Sequence, residues 1–401
     1  MTDESTIDDQ IRRVVEAGNC SGCGACVLLD AGLSMRLDDA GFARPQRVSR
    51  QSASVFNPAF NRVCPGARVE AQTPVGSTRH ATMGSFVEAH QGWSIDGEFR
   101  HMGSSGGVLS ALASWLISSG RVATVVGAAA DVGIPTRTVS VEIKTRRDAL
   151  EAAGSRYGPV ANATLARIGD ENSAFIGKPC EVSAVRALAR TRGAEPPLLL
   201  SFYCAGTPSQ SATDDLVRDL AEGQDVRAMW YRGRGWPGYF TVVREDGTEG
   251  ALSYDESWGK ALGPSAQWRC KLCVDGIGES ADLVAADYWR TDDRGYPLFE
   301  EGEGVSAILA RTKRGADILA DAVADGILHV EPLDVDDLAA VQPFQVTRRS
   351  TLWGRLLGAR LAGRATPSYR GFKLWRFALR QPLRQLRTAR GTFRRLKGPG
   401  R

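Results

Sequence analysis

Eight cysteines constrain this chain more than any other feature of its sequence. At 401 residues it can bury a core without covalent staples, so the cysteines need another explanation. Residues 1–10 are acidic and polar rather than basic then apolar, which argues against a secretory leader. The longest apolar stretch, 108–117, is broken by Ser110 and Ser114 and falls short of the roughly 20 residues of a membrane span. A cytoplasmic location is therefore expected. Thiols stay reduced there, so metal binding or catalysis takes precedence over disulfides.

The cysteines divide four and four. Cys20-Ser-Gly-Cys23-Gly-Ala-Cys26 places three thiolates where they can wrap three corners of one cubane cluster, and the more distant Cys64-Pro65 supplies the fourth. Gly22 and Gly24 permit the turns, and backbone N–H groups there can donate to sulfide. A two-cluster ferredoxin would carry a further cysteine where this chain has Asp30, so the segment is expected to hold one [4Fe–4S] cluster. Structural zinc is the alternative, although zinc sites usually pair two C-x-x-C units. The second group comprises Cys180, Cys204 and the pair Cys270-Lys-Leu-Cys273. Cys180 and Cys204 each follow a run read as a strand, which would set both at one end of a sheet. Spacing alone leaves a second cluster, structural zinc and free buried cysteines all open here.

Apolar runs at 122–130, 174–176, 198–203 and 239–243 read as strands, and 108–118, 182–189, 212–221 and 315–324 as helices. That alternation predicts an α/β core. The chain then divides into a cysteine-bearing segment (1–75), a linker around 73–78, the core (80–340) and a basic helical tail (345–401). The net charge of +4 hides an asymmetry. The last acidic residue is Asp337, and sixteen Lys and Arg follow it; without them the body carries thirty-four basic against forty-six acidic residues.

Gly103-Ser104-Ser105-Gly106-Gly107 precedes the helix expected at 108. Its glycines allow close backbone approach to a ligand, and the helix start offers unpaired N–H groups to a phosphate or an anionic flavin. An ordinary capping turn is the alternative. In Gly154-Ser155-Arg156-Tyr157, Tyr157 is a candidate to stack on a flavin ring and Arg156 to pair with a phosphate, against a plain surface loop with a packing tyrosine. No G-x-G-x-x-G fingerprint opens a helix after the first strand, which weakens direct NAD(P) use. His101, two residues before Gly103, is the catalytic candidate for proton transfer to flavin or substrate, or else an ordinary polar residue. Asp275, Asp282 and Asp287 are read by default as caps. The loop Arg232-Gly-Arg-Gly-Trp-Pro-Gly238 either touches an anionic cofactor or turns into the next strand. In the tail, Phe372, Trp375, Leu379, Leu383 and Leu386 fall near one helical face among arginines, and Pro382 is expected to kink it. An anionic membrane at the inner face, an acidic protein or the cluster region itself would suit that face, and nucleic acid is the poorer fit.

Taken in order, Gly103-Ser-Ser-Gly-Gly-Val108, Gly154-Ser-Arg-Tyr157, Gly177-Lys-Pro-Cys180, Phe202-Tyr-Cys204, Cys270-Lys-Leu-Cys273-Val-Asp275, Ala281-Asp282 and Asp287-Tyr-Trp289 resemble the coenzyme F420 hydrogenase/dehydrogenase beta subunit family. That family also includes 7-hydroxymethyl chlorophyll a reductase, and the resemblance covers about 15–315. It implies an α/β (α+β) flavin-binding core preceded here by a ferredoxin-like iron–sulfur segment. Cys180, Cys204, Cys270 and Cys273 would be ligands of a core [4Fe–4S] cluster, making two clusters in all. Ser104, Ser105, Gly106, Gly107, Arg156 and Tyr157 would contact FAD. Electrons would pass between the clusters, FAD and a two-electron carrier such as coenzyme F420, with a redox partner protein or soluble carrier at the other end. Lys178 stands where many relatives have a small residue, and the basic tail is absent from the hydrogenase subunits; the tail and general makeup look more like the branch found near bacterial surface-polysaccharide genes. A zinc-stapled, non-enzymatic scaffold and an electron-transfer subunit without its own substrate are the competing readings.

Overall fold

The structure is a computed structural model and describes residues 6–49, 56–292, 298 and 300–398. Its centre is an eight-stranded sheet of β1 (Glu88–Ser94), β2 (Thr124–Ala130), β3 (Thr138–Ile143), β4 (Ser173–Gly177), β5 (Leu198–Phe202), β6 (Leu283–Asp287), β7 (Ser306–Ala310) and β8 (Leu328–Pro332). The spatial order is β8-β1-β7-β6-β5-β4-β2-β3. Strands β2, β4, β5 and β6 run parallel. The β6–β7, β7–β1, β1–β8 and β2–β3 pairs are antiparallel.

A parallel strand covered on both faces needs a continuous apolar run, which Leu198-Leu-Leu in β5 supplies. Successive side chains then serve opposite layers. Leu198 and Leu200 pack with Leu112, Trp115 and Leu116 of α1 (Val108–Ser118). Leu199 packs with Val182, Val185 and Leu188 of α2 (Pro179–Arg192) on the other face. Helix α2 begins with Pro179, whose missing N–H costs nothing in a first turn, and stops at Gly193 in the left-handed conformation.

The expected strands at 122–130, 174–176 and 198–203 lie in this sheet within one or two residues. The one expected at 239–243 belongs instead to a three-stranded antiparallel sheet (Val226–Trp230, Phe240–Arg244, Glu249–Leu252) packed on α3 (Gln210–Ala221). The four expected helices are present, with α4 at Lys313–Ala324. Strands β1, β3, β6, β7 and β8 were not anticipated.

The tail folds into α5 (Pro343–Ser350), α6 (Leu352–Leu361), α7 (Leu374–Arg380) and α8 (Pro382–Lys397). Pro382 separates two helices rather than kinking one: Gln381 leaves helical geometry at φ −138°, and Pro382 starts α8. Phe372 also departs from the expected exposed face. It is buried with Leu272, Val274 and Leu352. Small residues let α6 and α8 touch: a Cβ on Gly354 would lie 2.4 Å from the Gln385 carbonyl oxygen, and one on Gly358 2.3 Å from that of Ala389. Ser368–Arg370 pairs in parallel with Arg68–Glu70, tying the tail to the N-terminal segment. Among the described residues, no helix is long and apolar enough to cross a membrane.

Candidate functional site

Cys20, Cys23, Cys26 and Cys64 line a single cavity whose other walls include Ile11, Val14, Phe60 and Val63. The turns that bring them there depend on Gly22 and Gly24, at φ +73° and +87°. A Cβ on Gly22 would sit 2.8 Å from the Ala43 carbonyl oxygen. Backbone N–H groups point at the sulfurs: Gly22 at Cys20, Ala25 at Cys23, and Gly66 and Ala67 at Cys64. Burial pushes all four thiols up, Cys23 to about 11. For Cys26, the neighbouring Cys23, Cys20 and Cys64 push further the same way. Arg44 works against that rise at Cys20.

The second group gathers at one edge of the main sheet. Parallel strands end together, so Cys180, at the start of α2 just past β4, and Cys204, two residues past β5, emerge side by side. The Cys204 N–H donates to the Gly276 carbonyl at 2.8 Å, drawing in the loop after the cysteine pair. Cys270 Sγ accepts the Thr207 N–H at 3.3 Å. Burial pushes Cys204 up to about 12, with Cys270 and Cys273 adding to the rise. Cys180 is raised by burial and then by Glu181, Cys23 and Cys204, so it faces both thiol groups. All eight cysteines are free. Among the described residues, no group of three or more His, Cys, Asp or Glu side chains is arranged to hold a metal ion. What the fold supplies is shared neighbourhoods of thiols.

Buried cations stand against both groups. Lys178 Nζ donates to Glu181 Oε1 and to the Val160 carbonyl, each at 2.7 Å. Arg269 reaches the Pro65 carbonyl beside Cys64 at 2.8 Å while adjoining Cys273, Cys180 and Cys270, so it bridges the two groups. Arg348 donates to the Cys204 carbonyl at 2.6 Å. Arg269 Nε and Trp268 Nε1, just before the cysteine pair, are buried with no hydrogen-bond partner among the described residues. Sequence reasoning noted Lys178 but missed Arg44 and Arg348, which come from segments far from the cysteines they serve, and Arg269, which adjoins Cys270 in the chain.

At the same end of the sheet, beyond β6, three loops singled out from sequence interlock. Ser155 Oγ donates to Ser104 Oγ at 2.7 Å, Ser155 N–H donates to the Arg232 carbonyl at 3.3 Å, and Gly235 N–H donates to the His101 carbonyl at 2.9 Å. Gly106 N–H is held by Ser306 Oγ at 3.0 Å, and Ser105 Oγ donates to the Val305 carbonyl at 2.8 Å. Gly107, at φ +72°, approaches so closely that a Cβ would lie 2.3 Å from the Phe99 carbonyl oxygen. These glycines let the chain approach itself. Arg232 is the hub: it is 2% exposed and donates to Asp287 at 2.6 Å, the Ser104 carbonyl at 2.5 Å and the Pro237 carbonyl at 2.9 Å. Its guanidinium lies 5.0–5.3 Å from the ring centres of Trp236, Tyr254 and Trp289. Burial alone would lower its pKa, but Asp287, Tyr157 and Tyr254 hold it above the ordinary arginine value.

Two sequence-derived candidates sit differently from expectation. Arg156 is not free to clamp a phosphate, because its guanidinium is spent on Thr138 Oγ1 and on the carbonyls of Met229, Pro135 and Arg137. His101 is solvent-exposed at the end of the short helix Gly97–Met102, and its backbone carbonyl, not its ring, engages the neighbouring loop. Tyr157 is half-buried against Trp258 and Tyr231, with ring centres 4.8 and 5.5 Å away. Asp282 takes the Leu199 N–H of β5 at 2.9 Å and Asp275 takes the Glu279 N–H of a loop at 3.0 Å, so neither caps a helix as expected.

A mixed sheet with thiols, a glycine loop and an arginine–aromatic cluster along one strand edge, overlaid by a second thiol group, defines an α/β protein that presents two thiol-rich centres. The chain belongs to the coenzyme F420 hydrogenase/dehydrogenase beta subunit family: the N-terminal family model matches 89–167 and the C-terminal one 170–336. The Cys20–Cys64 segment and the tail fall outside those matches, a narrower span than the sequence resemblance suggested. The coenzyme F420 hydrogenase subunit beta of Methanothermobacter thermautotrophicus is 24% identical over 63% of this chain and 86% of its own length. That of Methanosarcina barkeri is 23% identical over 63% and 84%. A chain of the F420-reducing [NiFe] hydrogenase complex from Methanosarcina barkeri superposes with a TM-score of 0.50 at 22% identity, covering 67% of this chain and 94% of that one.

Proposed function

We propose that this chain is an iron–sulfur flavoprotein subunit of oxidoreductase type, exchanging electrons with a two-electron carrier of the deazaflavin kind and with a redox partner protein. Cys20, Cys23, Cys26 and Cys64 would hold one [4Fe–4S] cluster, and Cys180, Cys204, Cys270 and Cys273 the other. Bound there, such clusters supply one-electron transfer, and FAD beside them supplies the link to two-electron chemistry.

The donor chemistry fits. Four neutral thiols would leave Arg269 and Arg348 as buried charges with no carboxylate partner among the described residues, which is costly. A thiolate-ligated cluster is anionic and would provide that compensation, with Arg269 Nε and Trp268 Nε1 as donors still waiting for an acceptor. Burial favours the protonated thiol at Cys20, Cys23, Cys26, Cys64, Cys180 and Cys204, so loading must release protons. The N–H groups of Gly22, Ala25, Gly66, Ala67 and Thr207 then stabilise negative charge on sulfur. On the adjoining side, Ser104–Gly107, Tyr157 and the rings around Arg232 would orient a flavin and exclude water from it.

The single observation that carries this reading is the convergence of two sets of four reduced cysteines, each beside buried cations. Anaerobic purification with iron, acid-labile sulfide and flavin assays tests it. About eight irons and eight sulfides per chain with bound flavin are expected. Colourless protein with stoichiometric zinc would refute it.

A further inference from the structure

Helices α7 and α8 are amphipathic in the wrong sense for a soluble protein. A surface helix normally turns its large apolar side chains inward. Here α8 buries Gln385, Ala389 and Thr392 against α6, and α7 buries nothing. The large apolar groups point out: Trp375 is 55% exposed, Leu379 72%, Leu383 70% and Leu386 57%. On α8 the outward stripe of Leu383 and Leu386 continues to Phe393 at helical spacing.

Charge is concentrated on the same two helices. Arg376, Arg380, Arg384, Arg387, Arg390, Arg394, Arg395 and Lys397 are all exposed. None forms an ion pair among the described residues, and no acidic residue follows Asp337. These two consecutive helices therefore display exposed leucines and a tryptophan framed by uncompensated cations.

We propose that α7 and α8 dock this protein on an anionic lipid bilayer, lying in the plane of its surface. Such a surface offers a negative headgroup layer for the arginines and an apolar layer beneath it for Trp375, Leu379, Leu383 and Leu386. Nucleic acid would engage the arginines but gives the leucines nothing to enter. An acidic protein would need its own apolar groove to cover them. Because α5 and α6 pack against the Cys204 and Cys270–Cys273 loops, docking would hold the core thiol group close to the membrane. The inference rests on the tail alone and stands whatever the thiols bind.

The test uses the full chain in flotation with phosphatidylcholine vesicles, with and without phosphatidylglycerol. Binding to the anionic vesicles should be at least about tenfold tighter and should weaken with added salt. The variant Trp375→Ser/Leu379→Ser/Leu383→Ser/Leu386→Ser changes only exposed side chains; it should keep its circular dichroism spectrum and lose vesicle binding. Equal binding to both vesicles, no binding to either, or full binding by that variant would overturn the proposal. So would a concentration-dependent dimer that the variant abolishes, or tighter binding to duplex DNA than to anionic vesicles.

Discussion

The Lys178–Glu181 pair offers a sharp test of how the core thiol group is held. Glu181 is 0% exposed and accepts the Lys178 ammonium at 2.7 Å, the Lys178 N–H at 2.8 Å and the Asn162 N–H at 3.0 Å. Lys178→Met keeps the two backbone bonds but strips the carboxylate of the one cation that lies within salt-bridge distance among the described residues. Deleting one partner of a buried ion pair costs about 3–5 kcal/mol. The Val160 carbonyl loses its ammonium donor as well, at about 1 kcal/mol. The sum, about 4–6 kcal/mol, is a large share of the roughly 5–15 kcal/mol that holds a domain folded. The double variant Lys178→Met/Glu181→Gln removes both charges and should recover about 2 kcal/mol or more relative to additivity. Urea unfolding of the metal-free chain, followed by far-ultraviolet circular dichroism, measures both quantities. A single-variant loss under about 1 kcal/mol, or strictly additive costs, would show that the pair does not anchor the start of α2.

Cys23→Ser should leave about half the iron of the parent protein and Cys270→Ser the other half, since the two sets load separately; loss of all iron from both would contradict two centres. Arg232→Met removes the donors to Ser104, Pro237 and Asp287 together, and bound flavin should fall about tenfold in purified protein, read from its visible absorbance. Glu279 is buried, which raises its pKa, but Arg349, Arg79 and Arg311 prevail and hold it below the usual carboxylate value. Its contribution is therefore complete above about pH 4.3 and lost as pH falls toward the folded-state value, so Glu279→Gln should flatten the acid limb of a stability–pH curve. Gly358→Leu must push α6 off α8, at about 1–3 kcal/mol, seen as a lower melting temperature and faster proteolysis in the tail.

Three of the four parallel strands were readable because β2, β4 and β5 are compact apolar runs with helices between them. The fourth, β6, and the antiparallel strands were not. Strand β1 reads Glu-Ala-His-Gln-Gly-Trp-Ser and carries no alternating pattern, since neighbouring strands on both sides rather than its own hydrophobicity hold it in place. Strands β6 and β7 are five-residue, alanine-containing segments whose burial comes from packing. The placement of Cys180 and Cys204 followed directly from their positions after strands. The cations did not: Arg44 and Arg348 reach the thiols only through tertiary packing, and Arg269, although next to Cys270 in the chain, meets Cys180 and the Pro65 carbonyl only in the fold. Arg156 misled for a related reason: sequence shows a guanidinium but not the four oxygens that already occupy it.

The strand pairing of Ser368–Arg370 with Arg68–Glu70 joins parts of the chain separated by 300 positions. During synthesis the cysteines leave the ribosome long before the residues that lock their loops: Gln345 and Arg348 over the Cys204 carbonyl, Tyr369 on that of Leu272. Closure of so long a loop is entropically costly and slow. Assembly of the thiol centres is thus a late event in the life of the nascent polypeptide, and a version cut before the tail would leave the ribosome with its cysteine loops unlatched.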